Sequence, residues 1–112
     1  MTVTPKKLFT PAQLTSALAT YYTVPASTRT VLKKVTLTND GSAPETITVH
    51  LVETGGTAGV TNIALKAKAI GPGETYEAYE IEGHIMNAGD FIRALASTAS
   101  KVNLHISGVE IV

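Results

Sequence analysis

The chain has 112 residues, with nine Lys or Arg, nine Asp or Glu and no Cys. This length fits one domain with a single core, and the lack of Cys excludes disulfide bonds. No run of like charge exceeds a Lys pair, which argues against nucleic-acid binding, because that requires several clustered Lys or Arg. No apolar signal segment opens the chain and no apolar run approaches the ~20 residues of a membrane span, so we expect neither signal-directed secretion nor membrane insertion. The near-zero net charge removes self-repulsion and thereby favours self-assembly.

Residues 1–16 differ from the rest because they contain Pro5 and Pro11 and show no sustained period. Proline disrupts a helix and cannot donate to a sheet ladder, so we predict an extended N-terminal arm. Such an arm either lies along its own domain as an edge strand or crosses to a neighbouring subunit. Residues 17–112 are predicted to form a single β-sandwich domain.

Runs of alternating apolar and polar residues, separated by turns rich in Gly, Pro and Asn, predict the strands. We place them at residues 20–24, 28–39, 45–52, 63–69, 75–81, 91–96 and 102–111. About seven or eight short strands with no amphipathic helix indicate an all-β fold. The expected architecture is a compact antiparallel two-sheet β-sandwich of the jelly-roll kind.

The segment 45–52 shows the clearest alternation of apolar and polar residues. It is expected to bury Ile47, Val49 and Leu51 and to turn Thr46, Thr48 and His50 to a polar face. By the same period, segment 63–69 is expected to bury Ile63, Leu65, Ala67 and Ala69 and to expose Lys66 and Lys68.

Two strands break their own alternation. A bulge at Lys33-Lys34 would let Leu32 join the inward-facing residues that follow while both lysines reach water. In the last strand, Val109 and Ile111 are out of phase with the apolar residues before them. We therefore predict a bulge or bend at Ser107-Gly108 that turns both residues inward.

The three histidines are the first candidates for chemistry. His50 and His105 lie on polar strand faces, and with Glu53 or Glu110 they could hold a divalent metal if their strands were neighbours. Their spacing forms no tight ligand pair, so exposed strand histidines without metal are favoured. The loop Gly55-Gly56-Thr57-Ala58-Gly59 lacks the Lys-Ser/Thr ending of a phosphate-binding loop, so a flexible hairpin or Ω-type loop is expected.

The acidic run at residues 74–82 suggests an enzymatic alternative, a small glycan hydrolase with paired carboxylates. Alternation would place Glu74 and Glu80 on one face and Glu77 on the other. A solvated edge strand is favoured, with part-buried tyrosines that could anchor a protein interface. The chain also has no Gly-x-Ser-x-Gly element and no thiol. We predict no catalytic residue.

Beyond these patterns, a series of short segments in order along nearly the whole chain resembles small structural proteins of tailed bacteriophages. These segments are Leu8-Phe9-Thr10-Pro11-Ala12-Gln13-Leu14, Tyr22-Thr23-Val24-Pro25-Ala26, Val35-Thr36-Leu37-Thr38-Asn39, Gly55-Gly56-Thr57-Ala58-Gly59, Gly73-Glu74-Thr75-Tyr76, Ala88-Gly89-Asp90-Phe91-Ile92 and His105-Ile106-Ser107-Gly108-Val109-Glu110. The resemblance implies a non-enzymatic virion component placed on the capsid or the tail, and it transfers no catalytic residue.

The sequence therefore favours a virion accessory protein, with capsid decoration between capsomers as the first hypothesis. The alternative is a tail-tip or tail-fibre component that binds a host surface glycan. Expected partners are copies of itself, with a trimer favoured, and the major capsid or tail proteins; no nucleic acid, membrane, cofactor or metal is expected. The protein would reside in the virion after assembly in the host cytoplasm. The predicted contact residues are Leu8, Phe9, Gly55, Gly56, Thr57, Gly59, Tyr76 and Tyr79.

Overall fold

The computed structural model describes residues 1–9 and 12–112. Within them the chain forms ten β-strands and no helix, which confirms the all-β prediction. The strands are β1 Val3–Lys7, β2 Ala12–Gln13, β3 Ala19–Thr23, β4 Arg29–Asn39, β5 Glu45–Val52, β6 Ile63–Ile70, β7 Thr75–Glu77, β8 Ile85–Met86, β9 Phe91–Ala96 and β10 Val102–Ile111. In this described part no helix is long and apolar enough to cross a membrane.

The strands pair as a nested series of antiparallel ladders: β1 with β10, β3 with β9, β4 with β7, and β5 with β6. This long hairpin is rolled up so that β4 also pairs with β10 and β5 with β9. Sheet I consequently has the order β1-β10-β4-β7 and sheet II the order β3-β9-β5-β6. The two-residue strands β2 and β8 extend sheet I at its edges. This connectivity is a jelly roll, so the predicted two-sheet sandwich is confirmed.

The core lies between the two sheets and consists of aliphatic side chains from both. Its largest fully buried members are Leu14, Leu32, Leu37, Ile47, Ile70, Ile81, Ile92, Leu104 and Ile106, followed by Val24, Val35 and Val49. Burying a side chain of this size contributes about 1.5–3 kcal/mol each relative to exposure. Because the chain has no Cys, this core and the sheet ladders hold the fold together.

The extra residue predicted in β4 is present, and the register shifts between Ser107 and Gly108 as predicted, but β10 itself contains no extra residue. Lys34 pairs with Ser107 and Leu32 with Gly108, so Lys33 is left between two ladder positions. Strand β10 itself alternates without a break, and Glu110 therefore points inward while Val109 and Ile111 face outward. The inward prediction for Val109 and Ile111 is wrong because the one irregularity needed at this point sits in β4.

The second correction concerns the pairing of β5 with β6. Ala67 has φ 48°, and the register between the two strands shifts beside Val49, so Leu65 points into the core while Ala67 and Ala69 are exposed. The predicted burial of these two alanines is wrong, because a bulge in β6 resets the alternation and Ile70 takes the inward position instead.

Strand β5 keeps an unbroken register with β9. Ile47 and Val49 are buried as predicted, but His50 on the opposite face is 9% exposed and Val52 is 1% exposed. The polar, exposed face predicted for His50 is therefore wrong at this end of the strand. The cause is tertiary: the loop after β5 folds over the outer face of sheet II and covers both side chains.

The predicted strand 75–81 ends at Glu77, and turns occupy residues 79–83. These turns fill the edge of β4 between β7 and β8. The Val35 carbonyl accepts from the Ala78 N–H at 2.9 Å, and the Leu32 carbonyl accepts from the Gly83 N–H at 2.6 Å. Ala78 and Ile81 are buried there, so the segment serves the core although it is not a strand.

The N-terminal segment lies along its own sandwich as the edge strand of sheet I. Backbone bonds join Thr2 to Val112 and Leu8 to Ile106. Because bonded pairs alternate along an antiparallel ladder, the N–H side of Pro5 faces the open edge, where the missing proton costs no ladder bond. The division into arm and domain, and any exchange of the arm between subunits, stay predictions.

Candidate interaction surfaces

The predicted contact residues belong to three different parts of the fold. Leu8 and Phe9 follow β1, the four loop residues lie between β5 and β6, and Tyr76 and Tyr79 lie in and just after β7. The structure does not gather them into one site. Their contact role stays a prediction, and their burial differs enough to separate them into anchors and exposed groups.

The side chain of Leu8 is part of the core, with 8% exposure. Phe9 is half-buried and stacks edge-on against Tyr21, with ring centroids 5.3 Å apart and an interplanar angle of 82°. These two residues therefore fasten the N-terminal segment to the sandwich, and Leu8 has no surface to offer a partner while it stays there. The next arm residues, Thr10 and Pro11, lie outside the described residues.

The loop 53–62 is closed by one side chain, Asn62. Its amide nitrogen donates to the Thr57 carbonyl at 2.8 Å, and its Oδ1 accepts from the Gly59 N–H at 3.0 Å. The same Oδ1 lies 2.8 Å from His50 Nδ1, and since an amide oxygen only accepts, His50 donates from Nδ1. These bonds form the Ω-type loop expected from the sequence and tie it to the sheet beneath.

This loop presents an apolar side chain to water. Val60 is 91% exposed, whereas Gly55, Gly56, Thr57 and Gly59 are exposed but offer little side-chain surface. The sequence prediction named the glycines and missed Val60. The signal was available, because Val60 is the only large apolar residue among the Gly, Thr and Ala residues at 54–61.

Tyr76 and Tyr79 have different surroundings. Tyr76 is half-buried at the edge between the sheets, where Lys68 Nζ lies 4.8 Å from its ring centre and its hydroxyl donates to Glu80. Burial, followed by the Glu80 bond, raises the pKa of Tyr76 to about 12. Tyr79 is 70% exposed. Tyr76 thus closes the sandwich edge, and Tyr79 is the tyrosine that remains available to a partner.

The carboxylates proposed for glycan hydrolysis do not converge. Glu74 accepts from the Gly71 N–H at 2.7 Å, Glu77 lies 3.7 Å from Lys34 Nζ, and Glu82 accepts from the Val35 N–H at 3.0 Å. Glu80 accepts from Tyr76, which lowers the pKa of Glu80. Each carboxylate bonds to a different group, so no pair of them is set across a common cleft.

The metal hypothesis also fails on geometry. His50 lies in β5 of sheet II and His105 in β10 of sheet I, so their strands are not neighbours. Glu110 bonds inside the core and His50 bonds to Asn62. Among the described residues, no group of three or more His, Cys, Asp or Glu side chains could hold a metal ion.

A polar cluster lies between the sheets at one end of the core. Glu110, 8% exposed, accepts from the Tyr22 hydroxyl at 2.6 Å and from Lys6 Nζ at 3.1 Å, and the Tyr22 oxygen lies 2.8 Å from Thr30 Oγ1. Burial and then the Glu110 bond raise the pKa of Tyr22 to about 12. The Tyr22 bond, aided by Lys6, lowers the pKa of Glu110. The cluster joins sheet II to sheet I and keeps the buried carboxylate charged and partnered.

Directly outside this cluster, the surface of sheet I is apolar. One row of paired residues runs across four strands as Pro5, Val109, Val31 and Ile85, and the adjacent row pairs Val3 with Ile111. We call these six residues the apolar patch. Val3 is 52% and Ile85 68% exposed, and the N- and C-terminal residues Met1 and Val112 add further exposed apolar surface at this end. The sequence prediction missed the patch because it placed Val109 and Ile111 inside.

Basic residues border the apolar patch. Arg29 pairs with Ile111, Lys7 pairs with Ser107 in the row beyond Val109, and Lys33 is the extra residue of β4. All three are exposed, and the salt bridges found within residues 1–9 and 12–112 involve Lys6 and Lys34 instead. The patch is therefore an apolar centre with a positive rim.

Comparison with known proteins gives similarity of fold without a family. No family model matches the chain, and no curated protein matches it. A solved structure of Bacillus endospore appendages, described as a novel family of disulfide-linked pili, matches with TM-score 0.58 and 14% identity over 97% of this chain and 87% of that chain. A structure of infectious bursal disease virus, Gx strain, matches with TM-score 0.49 and 12% identity over 97% of this chain and 32% of that chain. At these identities the likeness concerns the fold alone.

Proposed function

We propose that this chain is a non-enzymatic structural protein of a tailed-bacteriophage virion. Its best-supported role is capsid decoration, in which many copies bind between capsomers and stabilise the particle because they bind the assembled state. The protein would assemble with copies of itself and with the major capsid protein, in the host cytoplasm, and remain in the virion.

The observation that carries the proposal is the loop 53–62. Its backbone is fixed by the bonds of Asn62, while Val60 at 91% exposure has no role in the core of the chain. A fixed apolar group on an exposed loop fits insertion into a pocket or seam of a partner, because little conformational entropy is lost on binding.

Two further observations support a building-block role. The candidate carboxylates and His50 form hydrogen bonds within the chain, so they are not gathered into a glycan-hydrolase site or a metal site. The fold is also similar to that of the endospore appendages, which are pili and therefore assemblies of repeated subunits. Those pili are disulfide-linked, whereas this chain has no Cys, so its own contacts would be non-covalent.

The experiment is a reconstruction of particles from the phage that encodes the chain, with the copy number measured by quantitative mass spectrometry. Hundreds of copies at capsomer seams support decoration. A small multiple of three or six at the tail would overturn it in favour of the tail-tip or tail-fibre hypothesis. Turnover of a cell-wall glycan that Glu77→Gln abolishes would overturn the non-enzymatic assignment.

A matched pair of variants tests the loop itself. Val60→Asp should weaken binding to particles that lack the protein by on the order of tenfold or more, because it replaces a buried apolar contact with a charge. Thr98→Asp adds the same charge on an exposed loop that follows β9, where Ser97 bonds to Thr46 at the opposite end of β5. That variant should bind as the parent does; equal binding by both variants would remove the loop from the contact.

A further inference from the structure

The apolar patch and the exposed Tyr79 are two surfaces that the described residues leave uncovered. Residues 1–9 and 12–112 expose six large apolar side chains: Met1, Val3, Val60, Tyr79, Ile85 and Val112. Four of these six lie in or beside the apolar patch. Such clustering on a small soluble domain is typical of a contact surface.

The charges around the two surfaces have opposite sign. The patch has Arg29, Lys7 and Lys33 on its rim. Tyr79 stands in a stretch, residues 74–82, that holds four of the nine acidic residues of the chain and only neutral residues otherwise. Glu80 is exposed on one side of the Tyr79 loop, and the neighbouring Glu82 keeps its carboxylate on the Val35 N–H.

We propose that the apolar patch of one copy binds the Tyr79 loop, residues 78–83, of a second copy of the same chain. The tyrosine ring would cover the row of Val31, Val109 and Ile85, and the glutamates beside it would face the basic rim. Tyrosine suits this position because it supplies a large, rigid apolar surface at low entropy cost.

A head-to-tail contact fits the charges better than a contact of the patch with itself. Packing the face on its own copy brings two positive rims together, and like charges across an interface are unfavourable. A head-to-tail contact uses the apolar patch of one molecule and the Tyr79 loop of the other, so each molecule keeps its second surface open. It can therefore repeat, to give a closed ring or an extended row.

The size of the patch sets the strength of a single contact. Four strands about 4.8 Å apart and two rows of outward residues about 7 Å apart cover roughly 250 Å². A stable standard interface buries about 800 Å² on each partner. One contact is therefore weak in dilute solution, and it becomes effective where copies are held close together and several contacts act at once.

The first experiment measures self-association of the full chain by sedimentation equilibrium up to about 1 mM. The patch variant is Ile85→Thr with Val109→Thr, which keeps β-forming residues but removes apolar surface, and the loop variant is Tyr79→Ser. Each variant alone should lose on the order of tenfold or more in association constant. Leu95→Thr is the matched control, since Leu95 faces outward on sheet II opposite Thr48, and should associate like the parent.

Mixing the two variants separates the proposal from its rivals. A patch variant retains an intact Tyr79 loop and a loop variant retains an intact patch, so the mixture should form a one-to-one dimer and nothing larger. A Tyr79→Ser chain that self-associates as strongly as the parent would overturn the proposal, because the patch would then bind itself. Failure of the mixture to form a dimer would overturn it as well, provided that circular dichroism shows both variants folded.

Zero-length coupling of amines to carboxylates supplies an independent measurement. Treatment of the parent with a carbodiimide should join Lys7 or Lys33 of one copy to Glu80 or Glu82 of another, which isotope-mixed samples and peptide mass spectrometry would identify. Salt near 1 M should weaken association, because it screens the charges. A parent that stays monomeric at 1 mM without these cross-links would overturn the proposal, while the virion role, tested by copy number on particles, would stand independently.

Discussion

The two halves of sheet I, on either side of Lys33, differ in which face is apolar. Beyond Lys33, the pairs Leu37–Leu104 and Val35–Ile106 point into the core, and the residues between them on the outer face are polar. Before it, Leu32 is still buried, but the next inward positions hold Thr30 and Glu110, whereas Val31 and Val109 lie outside. One half has an apolar interior and a polar exterior, and the far end of the other half has a polar interior and an apolar exterior.

The reversal shows how a small sandwich can combine a polar interior with an apolar surface. A carboxylate in the core is costly unless it is paired, and Glu110 accepts from both the Tyr22 hydroxyl and Lys6 Nζ. The apolar residues of the same strand are then free to face outward. Strand β10 therefore serves the core with one half of its length and a prospective partner with the other half.

Deleting one residue from β10 should have the largest effect on this contrast. Without Ser107, the residues after it would change face, so Val109 would point inward and Glu110 would leave the Tyr22 hydroxyl. We expect a loss of ~3–5 kcal/mol in the free energy of unfolding, or no folding, measured by urea denaturation. Deleting Lys33 removes only the extra residue of β4 and leaves Leu32 inward opposite Gly108, so it should cost much less. Equal losses from the two deletions would contradict the assignment of the extra residue to β4.

Truncating one residue in each half of β10 should lower the free energy of unfolding by unequal amounts. Leu104→Ala removes a side chain that is 2% exposed and should cost ~2–5 kcal/mol, because it leaves a cavity. Val109→Ala acts on an outward side chain and should cost less than ~1 kcal/mol. Urea denaturation of the two variants side by side measures the difference. Comparable losses would contradict the outward assignment of Val109.

Gly108→Ala should lower the free energy of unfolding by ~1–3 kcal/mol. A Cβ atom at Gly108 would lie 2.8 Å from Leu8 Cδ1 and closer still to the Val31 carbonyl oxygen, so the strand backbone must move. Gly59→Ala is the control, since nothing lies within 4 Å of a Cβ atom there. Thermal unfolding should separate the two variants, and an unshifted melting temperature for Gly108→Ala would show that the sheet adapts at this position.

Tyr22→Phe should have the smallest effect. It should lower the free energy of unfolding by ~1–2 kcal/mol at neutral pH, because Glu110 loses one of its hydrogen-bond donors. The pH dependence adds a signature. The raised pKa of Tyr22 contributes stability that is complete below its unfolded value of 10.0 and is lost as pH rises through about 12. Tyr76 behaves in the same way, so Tyr22→Phe should reduce the alkaline loss and a second Tyr76→Phe change should reduce it further.

At acid pH the stability of the protein changes with pH in the opposite direction. The lowered pKa of Glu110 contributes stability that is present above its unfolded value and is lost as pH falls through the folded one. Glu110→Gln should therefore reduce the loss of stability at acid pH, measured by urea denaturation over a series of pH values. An unchanged loss in Glu110→Gln would assign that pH dependence to other carboxylates.

Local pattern was sufficient for the sheet class, the turns and the bulge in β4. Two adjacent lysines between apolar residues predict an extra residue, because no regular strand keeps both lysines in water and both flanking apolar residues inside. The same reasoning failed at Ser107-Gly108. The partner that makes Glu110 acceptable inside is Tyr22, which is 88 residues away in sequence, and no local pattern contains that information.

The predicted contact residues show the same limit of local sequence pattern, since some are exposed and others are buried. Tyr79 was predicted as a contact residue and its side chain is exposed, whereas Leu8 was predicted as a contact residue and its side chain lies in the core. An apolar residue in an irregular segment is compatible with either environment, and tertiary packing decides between them. The His50–Asn62 bond was missed for a related reason, because the burial of His50 depends on a loop that returns over its strand.

Pro5 has a consequence for the protein at high concentration. A free strand edge is a template for unlimited pairing with other chains, and the risk rises with concentration. On the open side of β1 the ladder lacks one proton donor at its centre, and Lys7 adds charge beside it. Growth by strand addition is thereby hindered at this edge, which leaves the proposed contact through the sheet face, specific in geometry and limited in area, without this competitor.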